Sequence, residues 1–140
     1  MELILVVDDE REDCERMADA LTREGYAVST AIDAPSALGV IQQQPNITLL
    51  ITDISLPGTN GCDLARQALE IRSGLKVLFV SGYVGAEVCR YYGIPITDLF
   101  FLRKPFSPQG LITRVRRVLE TTERVTISSP PVTSAGGTAT

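Results

Sequence analysis

Apolar positions along the chain fall into two kinds of run that take turns. One kind is short, continuous and rich in branched residues: Leu3-Ile4-Leu5-Val6-Val7, Ile47 to Thr52, Lys76 to Ser81, and Leu99-Phe100-Phe101-Leu102. Runs of this kind, bounded by polar or turn-forming residues, predict strands buried on both faces. Tyr26 to Ala31 alternates instead, which predicts a strand near the sheet edge. The other kind of run has helical spacing. Cys14, Met17, Ala18 and Leu21 form one stripe between Glu10 and Glu24, with Gly25 placed to cap it. Ala37, Leu38 and Ile41 form a second, opened by Asp33-Ala34-Pro35. A third follows Asn60 or Gly61 with Leu64, Ala65, Ala68, Leu69 and Ile71 inward, and Gly74 as its stop. Val84 to Tyr92 is a short, weakly periodic fourth helix, joined to the next strand by an irregular Ile94 to Asp98. Ser107-Pro108 starts the last, whose stripe of Leu111, Ile112, Val115, Val118 and Leu119 runs to about Thr121.

Strands alternating with helices at near-regular spacing imply βαβ crossovers and a parallel sheet covered on both faces. Five strands and five helices predict an α/β, flavodoxin-like doubly wound (βα)5 fold, its five-stranded parallel sheet in the order 2-1-3-4-5. One domain is expected over residues 1–121. Residues 122–140 are expected to be a disordered tail, because 126–140 hold Ser, Thr, Pro, Gly and Ala with few apolar anchors and no charge.

Composition narrows the function classes. The 140 residues include 44% hydrophobic and 21% charged residues, as in a soluble globular protein. A net charge of -4 argues against direct nucleic-acid binding by this chain. The absence of histidine removes imidazole acid–base catalysis and imidazole metal ligation. Cys14, Cys62 and Cys89 are widely spaced and read as buried thiols in a reducing compartment. The apolar run at Leu3 to Val7 is too short for a membrane span, so a cytoplasmic location and no membrane partner are expected.

Candidate chemistry gathers at one end of the predicted sheet. Strands one, three, four and five end at Asp8-Asp9, Asp53, Ser81 and Lys104. In an open parallel sheet the carboxyl ends of the strands form the ligand-binding rim. Singly, each residue has an ordinary reading: a helix cap for Asp8 and Asp9, a turn residue for Asp53 and Ser81, a surface lysine for Lys104. Together they read otherwise. Converging carboxylates repel at neutral pH unless a cation shares them, and an all-oxygen set suits Mg2+. An Asp beside such an ion can attack phosphorus, with Lys104 and Ser81 donating to phosphoryl oxygens. Pro105 after Lys104 suggests a cis peptide.

The motifs Val6-Val7-Asp8-Asp9-Glu10, Asp53-Ile54-Ser55-Leu56-Pro57 with Gly61, Val80-Ser81-Gly82-Tyr83 and Lys104-Pro105-Phe106 cover residues 3 to about 121. In this order they resemble the receiver domain of the two-component response-regulator family, similar to the chemotaxis regulators. The resemblance implies a phosphorylation-controlled switch in a phosphorelay, not a turnover enzyme. Asp53 matches the phosphoacceptor that forms an aspartyl phosphate. Asp8, Asp9, Asp53 and the Ser55 backbone carbonyl match the Mg2+ ligands, Ser81 the switch hydroxyl and Phe101 the aromatic switch position. The implied partners are a histidine kinase or phosphotransfer protein, and a downstream effector or second copy. The latter would dock on the face of the fourth helix, fifth strand and last helix, where Arg103, Arg114, Arg116 and Arg117 lie. Gly93-Ile94-Pro95-Ile96 departs from the family's usual residues before strand five, and nothing in residues 122–140 resembles an output module, so either a stand-alone receiver or one cut from a larger protein is expected. A phosphohydrolase with an Asp nucleophile is the enzyme alternative, but Ser55 stands where it would need a second Asp. A pseudo-receiver that docks partners without phosphate is the other.

Overall fold

Three central strands are apolar almost throughout because helices cover both their faces. The computed structural model describes residues 2–82, 87–88, 90–93, 99–125 and 127. In chain order the elements are β1 (Leu3–Val7), α1 (Arg11–Arg23), β2 (Ala27–Ala31), α2 (Ala34–Gln43), β3 (Ile47–Asp53), α3 (Gly61–Ile71), β4 (Lys76–Ser81), β5 (Phe101–Arg103) and α4 (Pro108–Glu120). The five strands form one parallel sheet in the order β2-β1-β3-β4-β5, as expected of the doubly wound fold. All five residues of β1 are buried, whereas β2, at the edge, buries only Ala31.

Successive side chains of a strand point to opposite faces, so β1 feeds two cores. Ile4 and Val6 pack with Met17 and Leu21 of α1 and Leu111, Ile112, Val115 and Val118 of α4. Leu3, Leu5 and Val7 pack with Ala37 and Ile41 of α2 and Leu64, Ala65 and Ala68 of α3. Cys14 and Cys62 are buried, and burial pushes the Cys14 thiol up to about 11. Cys89 lies outside the described residues. No helix among the described residues is long and apolar enough to cross a membrane.

The local signals at the helix ends are satisfied one by one. After α1, Gly25 has φ +99°, which a side chain would disfavour. There its N–H bonds to the Thr22 carbonyl while the Tyr26 N–H reaches back to Leu21. Asn60 and Ser107 cap α3 and α4 by accepting from the N–H groups of Asp63 and Gly110 at 2.9 and 3.0 Å. Asp33 caps α2, accepting from the Ser36 N–H at 2.9 Å. That hydrogen bond, with a further contribution from the Ser36 side chain, holds the Asp33 carboxyl below its ordinary value. A carboxyl depressed in the folded state stabilises it above the unfolded pKa and loses that contribution as pH falls through the folded value. Asp33→Ala is therefore expected to lower Tm at neutral pH, with the gap to wild type closing on acidification through the carboxylate range. A gap that stays constant with pH would show that the charge of the cap plays no part.

The structure departs from the sequence expectation at the start of the fifth strand and at the end of α3. The fifth strand begins at Phe101, not Leu99, because Leu99 and Phe100 form a turn. Apolarity marked burial there (Phe100 is 8% exposed) and not strand geometry. Ile71, expected on the inner face of α3, is 41% exposed. It is the last residue of the helix, where the stripe runs out. Of the expected fourth helix, 87–88 and 90–91 are helical, while 83–86, 89 and the expected connection 94–98 lie outside the described residues. Of the expected tail, 122–125 and 127 are described. Val125 and Ile127 pack against the α2–α3 core, Arg124 donates to the Ser73 carbonyl at 3.4 Å, and Lys76 donates to that of Thr121.

Candidate phosphoacceptor site

Parallel strand order brings four strand ends to one rim. Asp8 follows β1, Asp53 ends β3, Ser81 ends β4, and Lys104 follows β5. Backbone bonds continue between the strands at that level. The Asp8 N–H donates to Ala31, that of Ile54 to Val80 and that of Lys104 to Ser81, at 3.2, 3.3 and 2.8 Å. The candidate side chains thus stand at strand ends that are hydrogen-bonded into the sheet. Lys104-Pro105 is a cis peptide, as its sequence suggested.

The two buried carboxylates divide their oxygens. Asp8 Oδ1 accepts from the Glu10 N–H at 2.9 Å, and Asp53 Oδ1 accepts from the Ser55 N–H at 3.0 Å. These are the ordinary turn roles of Asp. Their second oxygens accept from the Lys104 ammonium, at 2.8 Å for Asp8 Oδ2 and 3.0 Å for Asp53 Oδ2. The turn role thus occupies one oxygen of each residue, and the other oxygen of each meets Lys104. As for a cap role, Glu10, not Asp8 or Asp9, is the N-cap of α1, and it makes no side-chain cap bond.

Burial shapes the electrostatics. Asp8 is fully buried and Asp53 is 6% exposed. Burial raises the Asp8 pKa, and the hydrogen bonds from Lys104 and the Glu10 N–H offset this only in part. For Lys104 burial pulls downward, but hydrogen bonds and charge from Asp8 and Asp53 outweigh it, so the ammonium is held above its ordinary pKa. Lys104 stays charged at any physiological pH.

Carboxylate oxygens of Asp8, Asp9 and Asp53 lie within 4.8 Å of one another, and Asp9 is exposed to solvent beside the buried pair. A donor set of oxygens alone fits a hard divalent ion such as Mg2+, which keeps several waters and needs few protein carboxylates. Ser55 directly follows on the exposed side of Asp53–Ile54. Ser81 is 3% exposed and Phe101 is 7% exposed, the latter within the α2–α3 core. Tyr83 lies outside the described residues. The expected arginine cluster is split: Arg114 donates to the Phe101 carbonyl at 2.8 Å, whereas Arg116 pairs with Glu24 beyond α1.

Two features carried no sequence signal. Asp13 Oδ2 lies 3.2 Å from the Lys104 ammonium, adding a third carboxylate to it. In the sequence Asp13 is one of several charges on the polar side of α1. The second is a small network at the start of α3: Asn60 donates to the Tyr92 hydroxyl at 3.0 Å, and that hydroxyl donates to Asp63 Oδ2 at 2.8 Å. Tyr92 is 29 residues from Asp63, and no local pattern relates them.

A family model described as the response regulator receiver domain matches residues 4–116. The chain belongs to this family. Among curated proteins, the receiver protein CpdR of Brucella abortus is 32% identical over 85% of this chain and 98% of its own length. The transcriptional regulatory protein CreB of Escherichia coli is 31% identical over 94% of this chain but only 56% of its own length. The chain spans about half the length of most of the other curated relatives it matches. The crystallised receiver domain of NtrX from Brucella abortus is similar at 33% identity and a TM-score of 0.72, covering 85% of this chain and 99% of that one. The receiver domain of the hybrid histidine kinase CckA gives 32% and 0.70, covering 84% and 99%. The family is that of two-component signalling switches, whose receiver domains interact with histidine kinases and effector domains.

Proposed function

We infer that this receiver domain takes a phosphoryl group from the phosphohistidine of a histidine kinase or phosphotransfer protein onto Asp53, in a Mg2+-dependent reaction in the cytoplasm. The observation that carries the reading is the single Lys104 ammonium within hydrogen-bond reach of both Asp53 and Asp8, at a rim of buried carboxylates. A carboxylate oxygen of Asp53 attacks phosphorus, and the bond from phosphorus to the donor nitrogen breaks. The electron pair stays on the imidazole, whose other ring nitrogen carries a proton, so that it leaves as the neutral base. Mg2+, when held by Asp8, Asp9, Asp53 and the Ser55 carbonyl, offsets negative charge on the acceptor and on the phosphoryl oxygens. Lys104 supplies a fixed positive charge to a phosphoryl oxygen, and Ser81 a hydroxyl donor.

Phosphorylation replaces a monoanion with a dianion in a half-buried site. Ser81 moves toward the new oxygens, and Phe101, one strand away, repacks into the space. The face built from residues 87–88 and 90–91, β5 and α4 changes shape and engages an effector or a second copy. The role is that of a switch. Incubation with a small acyl phosphate and Mg2+ is expected to add the mass of one phosphoryl group to the wild-type chain and none to Asp53→Asn. An unmodified wild-type chain under those conditions would overturn the reading.

A further inference from the structure

Lys104 touches a carboxylate that the proposed reaction does not use. Asp13, in the first turn of α1, is about a third exposed at 35%; one oxygen lies 3.2 Å from the ammonium, and the other accepts from Arg16 at 3.4 Å. It stands where the rim opens into a groove of about 200 Å³ between α1 and α4, beside Met17, Phe106 and Leu111. Asp8 and Asp53 are different: both belong to the trio that can hold a divalent ion. An ion seated on those oxygens would crowd and repel an ammonium sitting 2.8 and 3.0 Å from the same two groups. As the ion enters, Lys104 must loosen its hold on Asp8. The remaining anion already in contact with it is Asp13.

We propose that Asp13 is a positioning residue, the carboxylate that keeps Lys104 beside Asp53 when a divalent cation takes over Asp8 and Asp53. The inference rests on the cation and phosphoryl reading given above. Without Asp13, ion entry leaves the ammonium in contact with no carboxylate that the ion does not share, so Mg2+ binds less tightly and Lys104 loses its fixed place. The same position puts Asp13 on the wall of the α1–α4 groove, so a molecule seated there would cover the hand-over.

Lys76 and Lys104 are the lysines of this chain, which makes lysine-selective labelling easy to read. NMR of the side-chain ε-methylene groups, with Lys76 as internal reference, reports whether Lys104 is held. Calorimetric titration with Mg2+ reports the affinity. In the wild type, Mg2+ is expected to bind and to leave the Lys104 ε-methylene protons inequivalent. In Asp13→Asn, binding is expected to weaken about fivefold, with the two protons averaging together on addition of Mg2+. Asp13→Glu is expected to recover much of both. Glu12→Gln removes the same charge from the same turn at a side chain that is 86% exposed and ion-paired with Arg16 at 3.8 Å, so it is expected to match the wild type. Equal weakening in Glu12→Gln, or wild-type affinity and an ordered Lys104 in Asp13→Asn, would overturn the positioning role alone. A wild-type chain that binds no Mg2+ would overturn the cation reading and this inference with it.

Discussion

Gly61→Ala is expected to destabilise the domain by about 3 kcal/mol or more, among the larger effects a single methyl can have. A Cβ at position 61 would stand 2.2 Å from the Asp53 carbonyl oxygen, 2.9 Å from the Ile54 Cα and 3.0 Å from the Asp53 carbonyl carbon. All three atoms are backbone, so no rotamer change can relieve the contact. The Gly61 N–H is also committed to the Ile54 carbonyl at 2.8 Å, which prevents the helix start from backing away. The first residue of α3 lies directly on the end of β3, the element that carries Asp53. Gly39→Ala is the matched comparison: it is also helical, and an added Cβ there meets nothing within 4 Å. That change is expected to leave stability unchanged or raise it by up to about 1 kcal/mol. Urea midpoints of the two variants would separate them clearly. A wild-type midpoint for Gly61→Ala would mean that α3 does not rest on β3 as described.

Lys104→Ala is expected to destabilise the metal-free domain by about 2 to 3 kcal/mol, because it leaves Asp8 and Asp53 buried without their counter-charge. The figure lies at or below the usual range for breaking a buried pair because Lys104 keeps 21% of its side chain in contact with water. Loss of the ammonium also removes one of the two partners that lower the Asp8 pKa, leaving the Glu10 N–H alone to oppose burial. A divalent cation should replace much of the missing charge. Mg2+ at about a hundred times its dissociation constant would return about 2.7 kcal/mol to a variant that binds it only when folded. Thermal unfolding with and without Mg2+ therefore tests the site as an electrostatic unit. A variant as stable as wild type without Mg2+ would show that the buried carboxylates do not depend on Lys104. Phosphoryl acceptance should remain slow in Lys104→Ala even at saturating Mg2+, since the ion cannot supply the lysine's donor to the phosphoryl oxygen.

The extent to which the chain could be read in advance follows from how local each signal is. β1 and β4 match their expected bounds because a strand buried on both faces is apolar from end to end. The caps at Asp33, Asn60 and Ser107 were readable because a cap involves residues only three apart. The rim residues Asp8, Asp53, Ser81 and Lys104 were readable at one remove, through the strand order that juxtaposes them. Leu99 and Phe100 misled because burial and extension leave the same apolar trace. Asp13 could not be found at all. It is one of several charges on α1, and only the fold places it against a lysine 91 residues away.

The hydrogen bonds of Tyr92 bear on how the rim can move. Asn60 and Asp63 hold its hydroxyl to the first turn of α3, and Gly61 fastens that same turn under the carbonyl of Asp53. The end of β3 that carries Asp53 and the side chain of Tyr92 are thus held to one short piece of helix. A shift at either clamp either drags α3 along or breaks hydrogen bonds to it. Tyr92 and the end of β3 are tied to each other through a single turn of helix, so that turn, and not either partner alone, sets how they can be displaced.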